Sequence, residues 1–189
     1  MSLLEVLVAS AIMSLLVTMA ITVVLAITRY FHRALTSYEL HQDAITALTS
    51  LSRELSSSHA GAVDRPATGG VAFAVPTLDL SQTPPALEWV NWVCYCSMPI
   101  KGEPALVRME QPISPPSATV PSSIPFDKTV SAFQGSGLRS KLVAAHLKSF
   151  LVTQGGTVTH PTATVVLELA RDNPRRFSVK VTTSLPFRN

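Results

Sequence analysis

An apolar stretch near the start of the sequence constrains every other part of the chain. From Val6 to Thr28 there are 23 consecutive residues without a charge, a glycine or a proline. A bilayer core of ~30 Å is spanned by about 20 apolar residues in a helix that rises ~1.5 Å per residue. The stretch therefore predicts a membrane-spanning helix, and it is longer than the apolar core of ~7–15 residues in a secretory signal peptide.

One carboxylate, Glu5, stands directly before this stretch. A lone carboxylate at membrane depth costs on the order of 2.5–3.5 kcal/mol on insertion scales, so we expect it to have a cationic partner. Arg29 is roughly 36 Å away along a helix, which leaves the amine at the start of this chain or of a neighbouring one. A plain single-pass anchor would explain the apolar stretch but not the carboxylate.

The first nine residues, MSLLEVLVA, resemble the mature N-terminus of type IV pilins and type II secretion pseudopilins. Chains of that family begin with a hydrophobic residue, then Thr or Ser, two aliphatic residues and a glutamate. The resemblance implies that a prepilin peptidase removes a leader, that Met1 becomes an N-methylated terminus, and that Glu5 pairs with the terminal amine of an adjacent subunit. It also implies the partners, which are other pilin or pseudopilin subunits in a helical filament.

The charges after the apolar stretch disagree with the topology of that family. Arg29, His32 and Arg33 follow the stretch, and the positive-inside rule would place this side in the cytoplasm. The resemblance implies the reverse, because the removed leader normally carries the basic residues. We follow the resemblance and expect a single-pass inner-membrane protein with a periplasmic domain, which later becomes part of a periplasmic or extracellular filament.

The chain departs from many main pilins inside the apolar stretch. Those proteins carry a glycine near the fourteenth place and a proline near the twenty-second, where this chain has Ser14 and Thr22, and Met1 replaces the usual phenylalanine. No residue here breaks a helix, so an unbroken helix is expected. Four hydroxyl residues recur every fourth position, on a face where small side chains favour helix packing: Ser10, Ser14, Thr18 and Thr22.

The helical pattern continues beyond the apolar stretch. There is no glycine or proline from Arg29 to Ser58, and an apolar stripe recurs at helical spacing in Ile45, Leu48, Leu51 and Leu55. The sequence predicts one helix over about residues 2–58, with a stop at Gly61. This divides the chain into an apolar half of the helix (1–28), its amphipathic continuation (29–60) and a globular β-sheet domain (61–189).

Beyond Gly61 the apolar spacing becomes alternating, which indicates β-strands. Strands are predicted at residues 71–75 and 86–96, and residues 105–110 complete a hairpin with the second of them. The 86–96 strand is apolar on both faces, with Trp89, Val93 and Tyr95 on one side, and it is therefore expected to be central in its sheet.

The last third of the chain predicts a second hairpin. Residues 163–169 and 177–185 alternate in polarity and are joined by a turn at Asp172–Pro174. Lys141–Thr153 is ambiguous, and we favour a turn of helix followed by a strand at 147–153. The fold class is α+β, with a long N-terminal helix packed on an antiparallel sheet as in type IV pilins. The strand order and the closing Arg188-Asn189 resemble the J-type minor pseudopilins and the larger minor pilins.

A proline-rich segment interrupts the predicted sheet domain. Residues 111–125 contain five prolines and four serines, and proline cannot donate a hydrogen bond within a sheet. We predict a surface loop.

The two cysteines, Cys94 and Cys96, share one face of the 86–96 strand. A disulfide between residues i and i+2 is at the limit of the allowed Cα separation. Two buried thiols are therefore preferred, with a disulfide as the alternative in the oxidising compartment that the resemblance implies. No histidine or second cysteine pair is spaced to complete a zinc site, so no metal site is predicted.

The sequence contains no recognisable pattern for catalysis. The five histidines are scattered, and there is no phosphate-binding glycine loop, calcium loop or carboxylate pair, so neither an enzyme nor a cofactor is expected. Seven cations are candidates for a DNA-binding surface, although the net charge of +3 is mild and a solvated sheet face is preferred: Arg139, Lys141, Lys148, Arg171, Arg175, Arg176 and Lys180.

Together these patterns predict a structural subunit of a type IV pilus or a type II secretion pseudopilus, with a minor subunit favoured by size and strand order. One alternative is the main repeating subunit of a pilus-like filament. A second, of a different class, is an adhesin or a DNA-capturing competence pilin, although nucleic acid is not the favoured partner.

Overall fold

The computed structural model describes residues 2–64, 69–81, 85–121, 138, 140–157, 161–172 and 176–187. The chain divides into two compact units, Met1–Glu39 and Leu40–Asn189. The described residues form one α-helix, a short 3-10 turn at Ala60–Ala62 and eight strands. Their bounds are α1 Leu3–Ser57, β1 Val63–Asp64, β2 Gly70–Asp79, β3 Ala86–Ile100, β4 Glu103–Ser117, β5 Ser140–Ala144, β6 Leu147–Gly156, β7 Pro161–Asp172 and β8 Arg176–Pro186.

The first unit contains the apolar part of α1 and the start of its amphipathic continuation, up to Glu39. The helix runs from Leu3 to Ser57 without a break, so the predicted continuation past residue 22 is confirmed; nothing in this stretch interrupts the backbone hydrogen bonds. Every residue from Ser2 to His32 is exposed. By length and composition the helix could cross a membrane, since the mean hydropathy of its most apolar 18-residue window is 2.4.

The second unit begins with the C-terminal part of the same helix. The predicted apolar stripe is correct for Leu48, Leu51 and Leu55, which are buried, but wrong for Ile45, which is 48% exposed. The buried positions are Leu40, Ala44, Ala47, Leu48, Leu51 and Leu55. Successive residues are rotated by about 100° around a helix, so a face centred on the small side chains of Ala44 and Ala47 turns Ile45 away from the core.

The first sheet has the order β1-β2-β3-β4-β5 and is antiparallel. Its middle strand is β3, as predicted. Val93 and Tyr95 pack into the same core as the helix, while Cys94 faces a second apolar cluster behind the sheet. Trp89 was expected beside Val93 but lies in that second cluster. The pairing with β2 shifts between Trp89 and Asn91, and the one extra residue reverses the alternation of faces.

The proline-rich segment is only partly the loop that its composition predicts. Residues 111–117 belong to β4, and Pro112 is the partner of Asn91 in β3. Proline is tolerated there because β5 pairs with β4 only at Leu106–Met109, so beyond that point β4 has no strand on its outer side among the described residues. Residues 118–121 lie outside any strand, and residues 122–125 are not among those described.

The expected turn of helix after Lys141 is wrong. Ser140–Ala144 form β5, which pairs with β4, and β6 begins at Leu147 after a turn in which His146 has φ 57°. The local apolar spacing fits a turn of helix or a strand. The strand forms because the outer side of β4 offers hydrogen-bonding partners to the backbone of an extended segment.

The second sheet has the order β6-β7-β8, and its β7–β8 hairpin confirms the prediction for the last third of the chain. Along β8 the residues alternate between half-buried and exposed. Both sheets and the second half of α1 contribute to one apolar core. Of the predicted Asp172–Pro174 turn, Asn173 and Pro174 lie outside the described residues, as do Arg188 and Asn189.

Candidate functional site

Ser2 and Glu5 form a pair of reciprocal hydrogen bonds at the start of α1. The Ser2 backbone N–H donates to Glu5 Oε2 at 2.9 Å, and the Glu5 backbone N–H donates to Ser2 Oγ at 3.3 Å. This is a capping box, which satisfies two of the donors that a helix N-terminus leaves without partners. The Ser-x-x-Glu spacing was the signal in the sequence for it, and the sequence interpretation missed it.

The capping box leaves the charge of Glu5 without a counter-ion among the described residues. Its bond to the Ser2 N–H is a contact with a neutral group, and the side chain is exposed. One expected partner, the amine of Met1, lies outside the described residues, and the other belongs to an adjacent subunit, so pairing of Glu5 with an amine stays a prediction. Glu5 therefore caps its own helix, and its negative charge remains available to form an ion pair with a cation.

The four hydroxyl residues of the apolar stretch bond to their own helix. Ser10 Oγ donates to the Leu7 carbonyl at 2.9 Å, and Ser14, Thr18 and Thr22 donate to the carbonyls of Ala11, Ser14 and Met19 at 2.8 Å. Each hydroxyl proton is thus satisfied without water, so these side chains are tolerated in a lipid or protein environment. Their role in packing against another helix stays a prediction.

The apolar side chains of the first unit form a surface that water does not stabilise. Large hydrophobic residues from Leu3, which is 83% exposed, to Ile27, which is 49% exposed, lie on every side of the helix. Exposed apolar patches larger than a few hundred Å² are rare on soluble monomers and mark contact with a membrane or a partner. Such a surface is typical of contact with lipid or with other apolar helices.

A polar cluster joins α1 to the first sheet in the second unit. Arg108 Nε lies 3.0 Å from both carboxylate oxygens of Glu54, and Arg108 Nη1 lies 2.8 Å from Glu110 Oε2. The Tyr95 hydroxyl donates to Glu54 Oε2 at 3.0 Å, and Asn91 Nδ2 donates to Glu110 Oε1 at 2.7 Å. Every member has a partner, so the cluster connects the helix to β3 and β4 through charge-assisted hydrogen bonds.

The electrostatics of this cluster follow from its burial and from its two carboxylates. Burial opposes the charge on Arg108, but hydrogen bonds to Glu54 and then to Glu110 outweigh it and raise the pKa of the guanidinium. Burial, followed by the negative charge of Glu54, raises the pKa of Tyr95. A pocket of about 250 Å³ opens beside Arg108 and Tyr95, and Lys141 also lines it. Glu54, Arg108 and Tyr95 are already hydrogen-bonded within the cluster, so we assign the cluster a structural role.

Removing either partner of the Glu54–Arg108 pair is expected to destabilise the domain, and a double-mutant cycle should isolate their coupling. We expect Glu54→Gln and Arg108→Gln to be non-additive by about 1 kcal/mol, since the side chains are a fifth to a quarter exposed and solvent screens the pair. Denaturant unfolding of the full chain in detergent, followed by fluorescence of Trp89 and Trp92, measures it. The distant pair Lys148 and Glu54 is the matched control, and equal coupling there would contradict the assignment.

Two of the cations proposed as a DNA-binding surface, Lys148 and Lys180, lie beside the same acid in the structure. Lys148 forms an ion pair with Glu168, and its hydrogen bond lowers the pKa of that carboxyl group. Lys180 is the β8 partner of the same Glu168, whereas Lys141 belongs to the other sheet. Arg139, Arg175 and the side chain of Arg176 lie outside the described residues.

Cys94 and Cys96 are free thiols in the structure, and both are buried in the cluster behind the first sheet. Among the described residues there is no group of three or more histidine, cysteine, aspartate or glutamate side chains that could hold a metal ion.

Comparison with known proteins identifies no relative, because no family model, no curated protein and no solved structure matches the chain. The resemblance to pilins therefore rests on the residues at the start of the chain.

Proposed function

We propose that this chain is a structural subunit of a type IV pilus or a type II secretion pseudopilus, which assembles through its N-terminal helix. The observation that supports this is the position of Glu5. It is the fifth residue, it directly precedes 23 residues without a charge, and these are exposed on every side of a helix that continues into a folded domain. A plain membrane anchor needs the apolar residues and can use Glu5 as a helix cap, but glutamine would cap as well, so an anchor has no use for the negative charge.

Assembly exchanges lipid for protein around the apolar half of α1. In the inner membrane, acyl chains cover the surface from Leu3 to Ile27; in the filament, the helices of other subunits cover it. Removing the carboxylate of Glu5 from water is costly unless a cation accompanies it. The terminal amine of an adjacent subunit supplies that cation, so an incoming helix is stabilised only in register with its neighbour.

The proposal includes the processing and the location of the chain. A prepilin peptidase exposes Met1, which is then N-methylated, and the domain faces the periplasm before it joins a periplasmic or extracellular filament. The domain size and the strand order favour a minor subunit. The main repeating subunit is the second candidate, and the exposed apolar surface fits both equally.

The proposal is tested by fractionating cells that produce the protein. We expect the chain in the sheared filament fraction, with an N-terminal peptide whose mass shows a methylated Met1, and we expect both to be lost when the prepilin peptidase is deleted. A minor subunit will be strongly substoichiometric to the main one. An unprocessed chain that stays in the membrane fraction with and without the peptidase would contradict the proposal.

A further inference from the structure

The sulfur atoms of the second unit are concentrated on one hairpin. Cys94 and Cys96 are the only cysteines of the chain, and its methionines after Met19 are Met98 and Met109. All four belong to β3 and β4. Cys94, Cys96 and Met98 are spaced two residues apart on one strand, so their side chains share one face of the sheet.

Strand pairing brings the fourth sulfur to the same place. Met109 is the direct partner of Cys94 in the β3–β4 register, and cross-strand partners have Cβ atoms about 4.5–5.5 Å apart. Cys94, Cys96 and Met109 are 1%, 0% and 2% exposed, and Met98 packs half-buried at their edge. We call these four side chains the sulfur cluster.

The two thiols in this cluster are close enough to interact. A hydrogen bond between them raises the pKa of Cys94 and lowers the pKa of Cys96, while burial raises both. The thiolate is the form of cysteine that binds metals.

We propose that the sulfur cluster is a binding site for a soft monovalent metal ion, Cu(I), held by Cys94, Cys96 and Met109 with Met98 at its outer edge. Thiolate and thioether sulfurs are the ligands that select Cu(I), whereas structural zinc sites use cysteine, histidine or carboxylate in four positions. Of the residue types that bind structural zinc, the sulfur cluster contains only its two cysteines. Two ligands of this kind are too few for a four-coordinate zinc site, which disfavours zinc.

The charge balance fits a buried site. When Cu⁺ replaces the proton of one thiol, a Cu–S bond forms, one H⁺ leaves, and the net charge of the cluster does not change. The second thiol and the thioethers then act as neutral ligands, so no unpaired charge is left among apolar side chains. The side chains packed around the sulfur cluster include those of Trp89, Trp92 and Val107. Because they are apolar, they exclude hard, strongly hydrated ions.

The proposal is tested by anaerobic titration of the reduced full chain in detergent micelles with Cu(I) against a competing chelator. We expect one tightly bound Cu(I) per chain and loss of this binding in Cys94→Ala/Cys96→Ala. Met109→Leu should weaken binding about 10-fold or more, since even indirect partners of metal ligands contribute 10–100-fold. Met19→Leu, in the apolar helix, is the matched control and should have no effect.

A second measurement keeps the test decisive if the double variant does not fold. X-ray absorption of the wild-type complex should show sulfur ligands only, and the affinity should fall about 10-fold per unit of decreasing pH because one proton is released. Prior oxidation of the two thiols to a disulfide should abolish binding. Absence of tight binding by the reduced wild type, retention of it in Cys94→Ala/Cys96→Ala, or a shell of nitrogen and oxygen ligands would overturn the proposal.

Discussion

A Glu5→Gln variant is expected to enter the membrane with a folded domain but to be lost from filaments. Glutamine accepts a hydrogen bond from the Ser2 N–H as glutamate does, so the capping box is kept. Only the negative charge is removed, and the amine of the adjacent subunit would then be buried without a counter-ion. That costs about 3 kcal/mol, which corresponds to about 100-fold less chain in the sheared filament fraction.

Ser2→Ala is the matched control for this prediction. It removes the Ser2 Oγ that accepts from the Glu5 N–H but keeps the carboxylate, and so it tests the helix cap alone. Loss of an N-cap costs ~1 kcal/mol, and we expect filaments to form. If Glu5→Gln assembles as well as the wild type while Ser2→Ala does not, Glu5 is a helix cap and its proposed pairing is wrong.

A Leu51→Ala variant is expected to lose about 3 kcal/mol of the free energy of unfolding of the domain. Leu51 is 1% exposed in the core formed by α1 and both sheets, and removal of a buried leucine side chain leaves a cavity as well as losing apolar burial. For a domain of this size the melting temperature should fall by roughly 6–12 °C. Circular dichroism of the full chain in detergent, read at a wavelength sensitive to the sheets, measures it.

Ile45→Ala on the same helix is the control. Ile45 is 48% exposed, so its truncation should cost much less, about 0.5 kcal/mol or below, as is usual for surface positions. Equal losses for the two variants would mean that the helix face described for the core is rotated. They would restore the sequence-based stripe that includes Ile45.

Much of the fold follows from local patterns in the sequence. The absence of glycine and proline through Ser58 predicts the unbroken helix, because each residue can make its helical hydrogen bond. The alternation from Phe177 to Leu185 predicts β8 and its buried face. The errors concern positions whose structure depends on how neighbouring strands pair. Pro112 enters β4 because none of the strands that the structure describes lies outside it there, and Trp89 changes face because of the register shift in β3.

The candidate sites divide in the same way. The position of Glu5 before the apolar stretch is visible in the sequence, and so is the Ser2-x-x-Glu5 spacing of the capping box. The Glu54–Arg108 pair and the approach of Met109 to Cys94 are not, since 54 residues separate the first two and the β3–β4 register sets the second. The sequence by itself determined the helix, its apolar surface and the position of the Glu5 carboxylate, because each depends on residues within a few helical turns. Only the tertiary structure decided which polar and sulfur side chains meet, because strand register and helix rotation are set by packing across the whole core.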